Sequence, residues 1–150
     1  VFEMDIVIVR FTNVFGAREQ VSKKKAGFNF LVKLAVEGKE IPLYDDGNFF
    51  RDYIYVTDAA EACLTVAEKG ETNKVYYIGR GEFIKFRKLT DILAKETGAK
   101  IKPISPPDFH KRVGIKNFVC DNSELKKIGW KPKVSLEDCI KKTIEYYKTL

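Results

Sequence analysis

Residues 5 to 11, Asp-Ile-Val-Ile-Val-Arg-Phe, make a near-continuous β-branched run, the pattern of a strand covered on both faces in a parallel sheet. Three other runs are strand-like: Ile41 to Tyr44, Arg51 to Val56 and Val75 to Ile78. A doubly covered strand needs more neighbours than these supply, so the first residues read as part of a larger sheet. Between the runs the apolar period changes to that of helices. From Ser22, a candidate N-cap, it carries Phe28, Leu31, Val32 and Ala35 to a stop at Gly38. Asp45-Asp46-Gly47-Asn48 then reads as a turn between two strands. Thr57 or Asp58 caps a helix that buries Ala59, Ala62, Cys63 and Val66 and ends near Gly70. Gly79-Arg80-Gly81 reads as a tight turn, followed by a helix with Leu89, Ile92 and Leu93 that stops at Gly98. Residues 103 to 117, with Pro103, Pro106 and Pro107, read as one long irregular segment and a first candidate for ligand contact. Asn122 caps a short helix through Ile128, broken by Gly129-Trp130-Lys131-Pro132, with Trp130 as a packing residue. Ser135, with Asp138 three residues on, opens a last helix bearing Leu136, Ile140, Ile144 and Tyr147. The alternation of the two periods predicts an α/β fold.

Composition keeps this picture within one domain. The 150 residues are 45% hydrophobic and 32% charged, as in ordinary globular chains. Lys plus Arg less Asp plus Glu is 27 − 21 = +6, which suits a polyanionic ligand such as a nucleic acid, an anionic membrane surface or a phosphorylated small molecule. No apolar stretch approaches the roughly 20 residues needed to span a bilayer. Glu3 and Asp5 do not fit the basic head of a signal peptide, and a cytoplasmic location is expected. Cys63, Cys120 and Cys139 lack CxxC spacing and are read as reduced, partly buried thiols rather than a disulfide framework or a zinc site.

The residues offer little catalytic chemistry. The one histidine, His110, lies in the Pro-rich segment and reads as a solvated loop residue, with no Ser or Cys paired to it. Asp45 and Asp46 read as turn formers, and Gly79-Arg80-Gly81 lacks the third glycine and downstream acid of a dinucleotide fingerprint. Binding chemistry is better represented. Asn13 falls just past the first strand's carboxyl end, where open α/β sheets bind ligands. Arg51 opens its run with a guanidinium fork suited to a diphosphate; the alternative is a surface ion pair with Asp52, which contributes little.

Four ordered blocks carry a family resemblance: Val9-Arg10-Phe11-Thr12-Asn13-Val14-Phe15-Gly16, Asp46-Gly47-Asn48-Phe49-Phe50-Arg51-Asp52-Tyr53-Ile54-Tyr55-Val56-Thr57-Asp58, Val75-Tyr76-Tyr77-Ile78-Gly79, and Asp121-Asn122-Ser123 through Gly129-Trp130-Lys131-Pro132. Together they resemble the NAD-dependent epimerase/dehydratase family, the extended short-chain dehydrogenase/reductases that act on nucleotide sugars. The resemblance implies the C-terminal part of a Rossmann-type α/β fold: strands of the parallel sheet plus a small mixed α/β substrate-binding domain, over residues 1 to 150. The family's glycine-rich dinucleotide loop and its Tyr-x-x-x-Lys pair occur nowhere in the sequence, so the chain is expected to be a catalytically inert, substrate-binding portion of a longer NAD- or NADP-dependent enzyme that does not retain the cofactor alone.

By the same resemblance, Phe11 and Thr12 border the nicotinamide, Asn13 contacts substrate and Arg51 binds the nucleotide diphosphate. Pro42 and Tyr44 line the nucleobase pocket, and Lys111 or Arg112 stands where the family places a second diphosphate-binding arginine. The implied partners are a nucleotide-diphosphate sugar, the N-terminal half and further copies of the chain, with no nucleic acid and no membrane. Two other readings stand beside it: by the resemblance, a non-catalytic family member that senses a nucleotide sugar, and, from the net charge of +6, a basic nucleic-acid-binding module.

Overall fold

The computed structural model describes residues 4–21, 27–106 and 117–150; Ser22, the lysines at 23 to 25, His110, Lys111 and Arg112 lie outside them. Among the described residues the strands form four two-stranded pairs. Strand β1 (Ile8–Phe11) runs parallel to β6 (Val75–Ile78), and β2 (Asn13–Phe15) parallel to β5 (Tyr53–Tyr55). Strand β3 (Ile41–Tyr44) is parallel to β8 (Ile101–Ile104), while β4 (Phe50–Arg51) and β7 (Ile84–Lys85) are antiparallel. The helices are α1 (Phe28–Val36), α2 (Val56–Lys69), α3 (Phe86–Thr97), α4 (Ser123–Lys127) and α5 (Leu136–Lys148). The α/β class expected from the alternating periods is the one observed.

Two apolar clusters share strand β5. Tyr53 and Tyr55 face a cluster built with Phe15, Leu89, Ile140 and Ile144, whereas Ile54 faces one built with Ala62, Tyr76, Ile78 and Trp130. This is the alternation of a strand buried on both faces, and it explains why Tyr-Ile-Tyr is apolar without interruption. Trp130 is a core residue, as expected. Helix α1 is anchored by buried Asn29, whose side chain accepts from the Gly16 N–H and donates to the Gly16 carbonyl. Gly16 has φ +138°, and a Cβ there would lie 2.7 Å from Val56 Cγ1, so the turn from β2 toward α1 requires glycine.

Several local expectations need correcting. The run Arg51 to Val56 is not one strand: it breaks at Asp52 into β4 and β5, and Val56 already belongs to α2. Neither Thr57 nor Asp58 caps α2, whose N-cap is Tyr55; Asp58 is buried in the first turn and accepts from the Lys133 N–H. Pro103 and Ile104 lie in β8 rather than in a loop, because a two-stranded parallel pair leaves edges where proline's missing N–H costs no ladder bond. Asn13 opens β2 instead of trailing β1. Asn122 sits at the N-cap of α4 but donates to the Gly79 carbonyl, 2.8 Å away, rather than capping with its side chain.

Strand β1 pairs only with β6 among the described strands. Val7 and Val9 pack inward against the second cluster, while Met4, Ile6, Ile8 and Phe11 are exposed. This end of the molecule therefore exposes apolar surface along β1.

Candidate functional site

The site grows from the carboxyl ends of β1 and β6, which finish together with Phe11 opposite Ile78. Thr12 continues the edge: its N–H and its hydroxyl donate to the Ile78 carbonyl at 3.0 and 3.4 Å. Phe11 keeps half its surface exposed beside it. The chain then steps into β2, where exposed Asn13 pairs with Tyr53. The Asn13 N–H and Nδ2 both donate to the Asp52 carbonyl, at 3.2 and 2.9 Å. The amide thus has one fixed donor contact and keeps its oxygen for other chemistry.

Arg51 immediately precedes that carbonyl. Its backbone lies between Ile84 on one side and Phe118 on the other, with the Phe118 N–H donating to the Phe50 carbonyl at 3.1 Å. Asn117 Oδ1 accepts from the Phe50 N–H at 2.9 Å. The Arg51 guanidinium lies 5.3 Å from the centre of the Phe49 ring, and Nη1 donates to the Phe50 carbonyl at 3.2 Å. Phe49 in turn stacks on Phe86 at the start of α3, centroids 4.8 Å apart, so the ring that faces the arginine is itself held by the helix. The ring face and the Phe50 carbonyl together hold the guanidinium plane in place.

Pro42 and Tyr44 alternate with buried Ile41 and Leu43 along β3 and share its other face, half-buried. Tyr44 leads into the Asp45–Gly47 turn, where Asp45, Asp46 and Gly47 all have positive φ. Arg87 pairs with Asp46 at 2.6 Å, which gives these acids a role in shaping the turn. Phe11, Thr12 and Asn13 thus follow one another from the β1–β6 edge, and the bonds of Asn13 to the Asp52 carbonyl bring it beside the Arg51 backbone. Pro42 and Tyr44 lie on the separate β3–β8 pair, while Lys111 and Arg112 fall outside the described residues.

Sequence reasoning missed the residue at the centre. Asp52 is fully buried, so it is no partner in a surface ion pair. One carboxylate oxygen accepts from the Arg80 N–H at 2.9 Å. The other accepts from the Gly81 N–H at 3.0 Å, the Cys120 N–H at 3.4 Å and the Cys120 thiol at 3.1 Å. Burial, and then the neighbouring carboxylate, pushes the Cys120 thiol up to about 12, so it stays a protonated donor. Gly79 fits only as glycine: a Cβ would stand 2.6 Å from Asp52 Oδ2 and from Cys120 Sγ, and 2.7 Å from Thr12 Cγ2. The available signal was an acid interrupting an otherwise apolar run. Burial also raises the Tyr53 phenol, with Arg51 partly opposing it. No group of His, Cys, Asp and Glu among the described residues could hold a metal. Among the described residues, the arrangement gathers a guanidinium and an amide beside a buried carboxylate already met by four donors.

Residues 2–79 match the model of the NAD dependent epimerase/dehydratase family. The dTDP-L-rhamnose 4-epimerase of Burkholderia thailandensis is 34% identical over 133 residues, which is 87% of this chain and 36% of that protein. Among solved structures, the UDP-glucose 4-epimerase of Thermotoga maritima with UDP-glucose aligns with a TM-score of 0.86 at 32% identity, covering 97% of this chain and 47% of that one. The Thermus thermophilus UDP-glucose 4-epimerase complex with NAD aligns with a TM-score of 0.81 at 27% identity, again over 97% and 47%. The chain therefore spans less than half the length of these relatives. With the matched segment running from β1 through β6 and containing Asn13, Arg51 and Asp52, the chain belongs to the NAD dependent epimerase/dehydratase family.

Proposed function

We propose that this chain is the substrate-binding, C-terminal portion of a nucleotide-sugar epimerase or dehydratase and that it grips a nucleoside diphosphate sugar. The observation that carries the reading is the junction at Asp52: Asn13 is pinned to its carbonyl at 2.9 Å, while the adjacent Arg51 presents a guanidinium braced on Phe49. Arg51 binds the diphosphate, Asn13 contacts the sugar side, and Tyr44 with Pro42, half-buried on one face of β3, borders the base. Lys111 or Arg112, a few residues before Phe118, supplies a second cation to the diphosphate. Support comes from the relatives, one solved with UDP-glucose and one with NAD, and from the net charge of +6.

In such an enzyme a nicotinamide cofactor, NAD or NADP, supplies reversible removal of a hydride from a sugar carbon. Phe11 and Thr12 offer that ring an edge. The sequence has no glycine-rich turn to cradle dinucleotide phosphates and no Tyr-x-x-x-Lys pair, so the residues here do not by themselves fit the cofactor, and no redox step is assigned to them. A cytoplasmic setting and a homo-oligomeric state belong to the same proposal; the former is in keeping with three free thiols.

The test is a thermal-shift panel of UDP-, dTDP-, GDP- and CDP-sugars. At least one should raise the melting temperature, and Arg51→Ala should abolish that shift. No shift with any of the four, or turnover of a nucleotide sugar by this chain alone, would overturn the proposal.

A further inference from the structure

We infer that Asp52 is the positioning residue of the diphosphate grip, holding Arg51 and Asn13 in register with the β1–β6 edge through its hydrogen bonds to residues 80, 81 and 120. The inference rests on the reading proposed above and deepens it. Asp52 belongs to three segments at once. Its carbonyl fixes both donors of Asn13; its peptide link to Arg51 sets where the guanidinium emerges; its carboxylate takes the N–H groups of Arg80, Gly81 and Cys120 and the thiol of Cys120.

The chain changes partner at this residue. Arg51 pairs with Ile84 and Phe118, whereas Tyr53 pairs with Asn13. With strand pairing switching across a single position, backbone ladders alone leave the relative placement of Arg51 and Asn13 to that residue. A fully buried carboxylate is costly unless its lone pairs are met, and here four donors meet them. Two of these donors, the Arg80 and Gly81 N–H groups, lie in the loop after β6, where Gly79 packs so closely that a Cβ would reach Asp52, Cys120 and Thr12 together. The substrate-facing Asn13 and Arg51 are thereby tied to the strand end expected to border the nicotinamide. An amide in place of the carboxylate has one oxygen to accept and an NH2 that confronts N–H donors.

The experiment compares each nucleoside diphosphate with its own nucleoside: UDP with uridine, dTDP with thymidine, GDP with guanosine and CDP with cytidine, by calorimetry on the 150-residue chain. The ratio of the two affinities isolates the diphosphate's share, which a general loss of structure would not single out. In the pair that wild type binds, Asp52→Asn should lower the ratio about tenfold while leaving nucleoside affinity within about twofold. Adding Asn to the Arg51→Ala background should lower it no further. Cys120→Ser, which keeps a donor, should preserve the wild-type ratio, and Cys120→Ala should reduce it; if Asp52→Asn does not fold, the Cys120 pair decides. A wild-type ratio in a folded Asp52→Asn, or in Cys120→Ala, overturns the inference alone. Wild type binding none of the four diphosphates overturns the proposed function and this inference with it.

Discussion

Arg51 and Asp52 are neighbours in sequence with opposite surroundings: the guanidinium sits half-buried over Phe49, while the carboxylate is sealed beneath peptide N–H groups and the Cys120 thiol. The difference follows from where the chain divides: Arg51 ends β4, whereas Asp52 lies between β4 and β5, within reach of the N–H groups of residues 80, 81 and 120. The three cysteines divide in the same way. Cys120 and Cys139 are buried and pushed up to about 12, in both cases first by burial. Cys63 is half-buried, and its thiol is also raised by burial. A raised folded pKa keeps the thiol protonated until the pH nears that value, so at pH 8 the thiolate reactive toward a disulfide reagent is scarce at Cys120 and Cys139. One fast-reacting thiol is expected in the native protein and three after denaturation, with Cys63→Ser removing the fast phase. Equally fast reaction of a second native thiol would contradict this assignment.

At the scale of elements, local signals succeeded where chain chemistry acts within a few residues. Ser135 accepts from the Asp138 N–H at 3.1 Å and returns a hydrogen bond to its carboxylate at 2.7 Å, so α5 begins where the serine and acid predict. Ser135→Ala should lower stability by about 1 kcal/mol, and Ser135→Thr should restore most of it; urea unfolding measures both, and an unchanged midpoint for the alanine variant would remove the cap's role. Gly98 likewise stops α3 in the left-handed conformation, φ +73°. The misreadings cluster where distant partners decide. Nothing local in Arg51 to Val56 shows that its first part pairs with β7 and its second with β2, and Asn122 forgoes capping because the Gly79 carbonyl is in reach.

Over the whole molecule, two cores joined by β5 leave one face of the β1–β6 pair bare. Ile6 and Ile8 are 48% and 46% exposed, alternating with Val7 and Val9, which pack inward. Parallel strands are stable when both faces are covered, and an open apolar edge favours association between copies. Replacing Ile6 and Ile8 together by lysine should reduce light scattering at high concentration, with stability changed by no more than about 0.5 kcal/mol per site. Unchanged scattering, or a collapse in melting temperature, would show that these side chains serve the fold instead.

The alternation of strands and helices, the start of α5 at Ser135, the glycine stop of α3 and the family to which the chain belongs were legible from the order of residues. Asn13 and Arg51 stand out in the sequence because a polar amide after an apolar run and a guanidinium opening the next one break local patterns. The tertiary structure decided which strands pair, where the run through residue 52 divides, and that Asp52 lies under four donors contributed by residues 80, 81 and 120. The division has a physical cause. Caps, turns and periodicity depend on neighbours within about four residues, whereas a buried carboxylate is stabilised only by groups the fold brings to it from far along the chain.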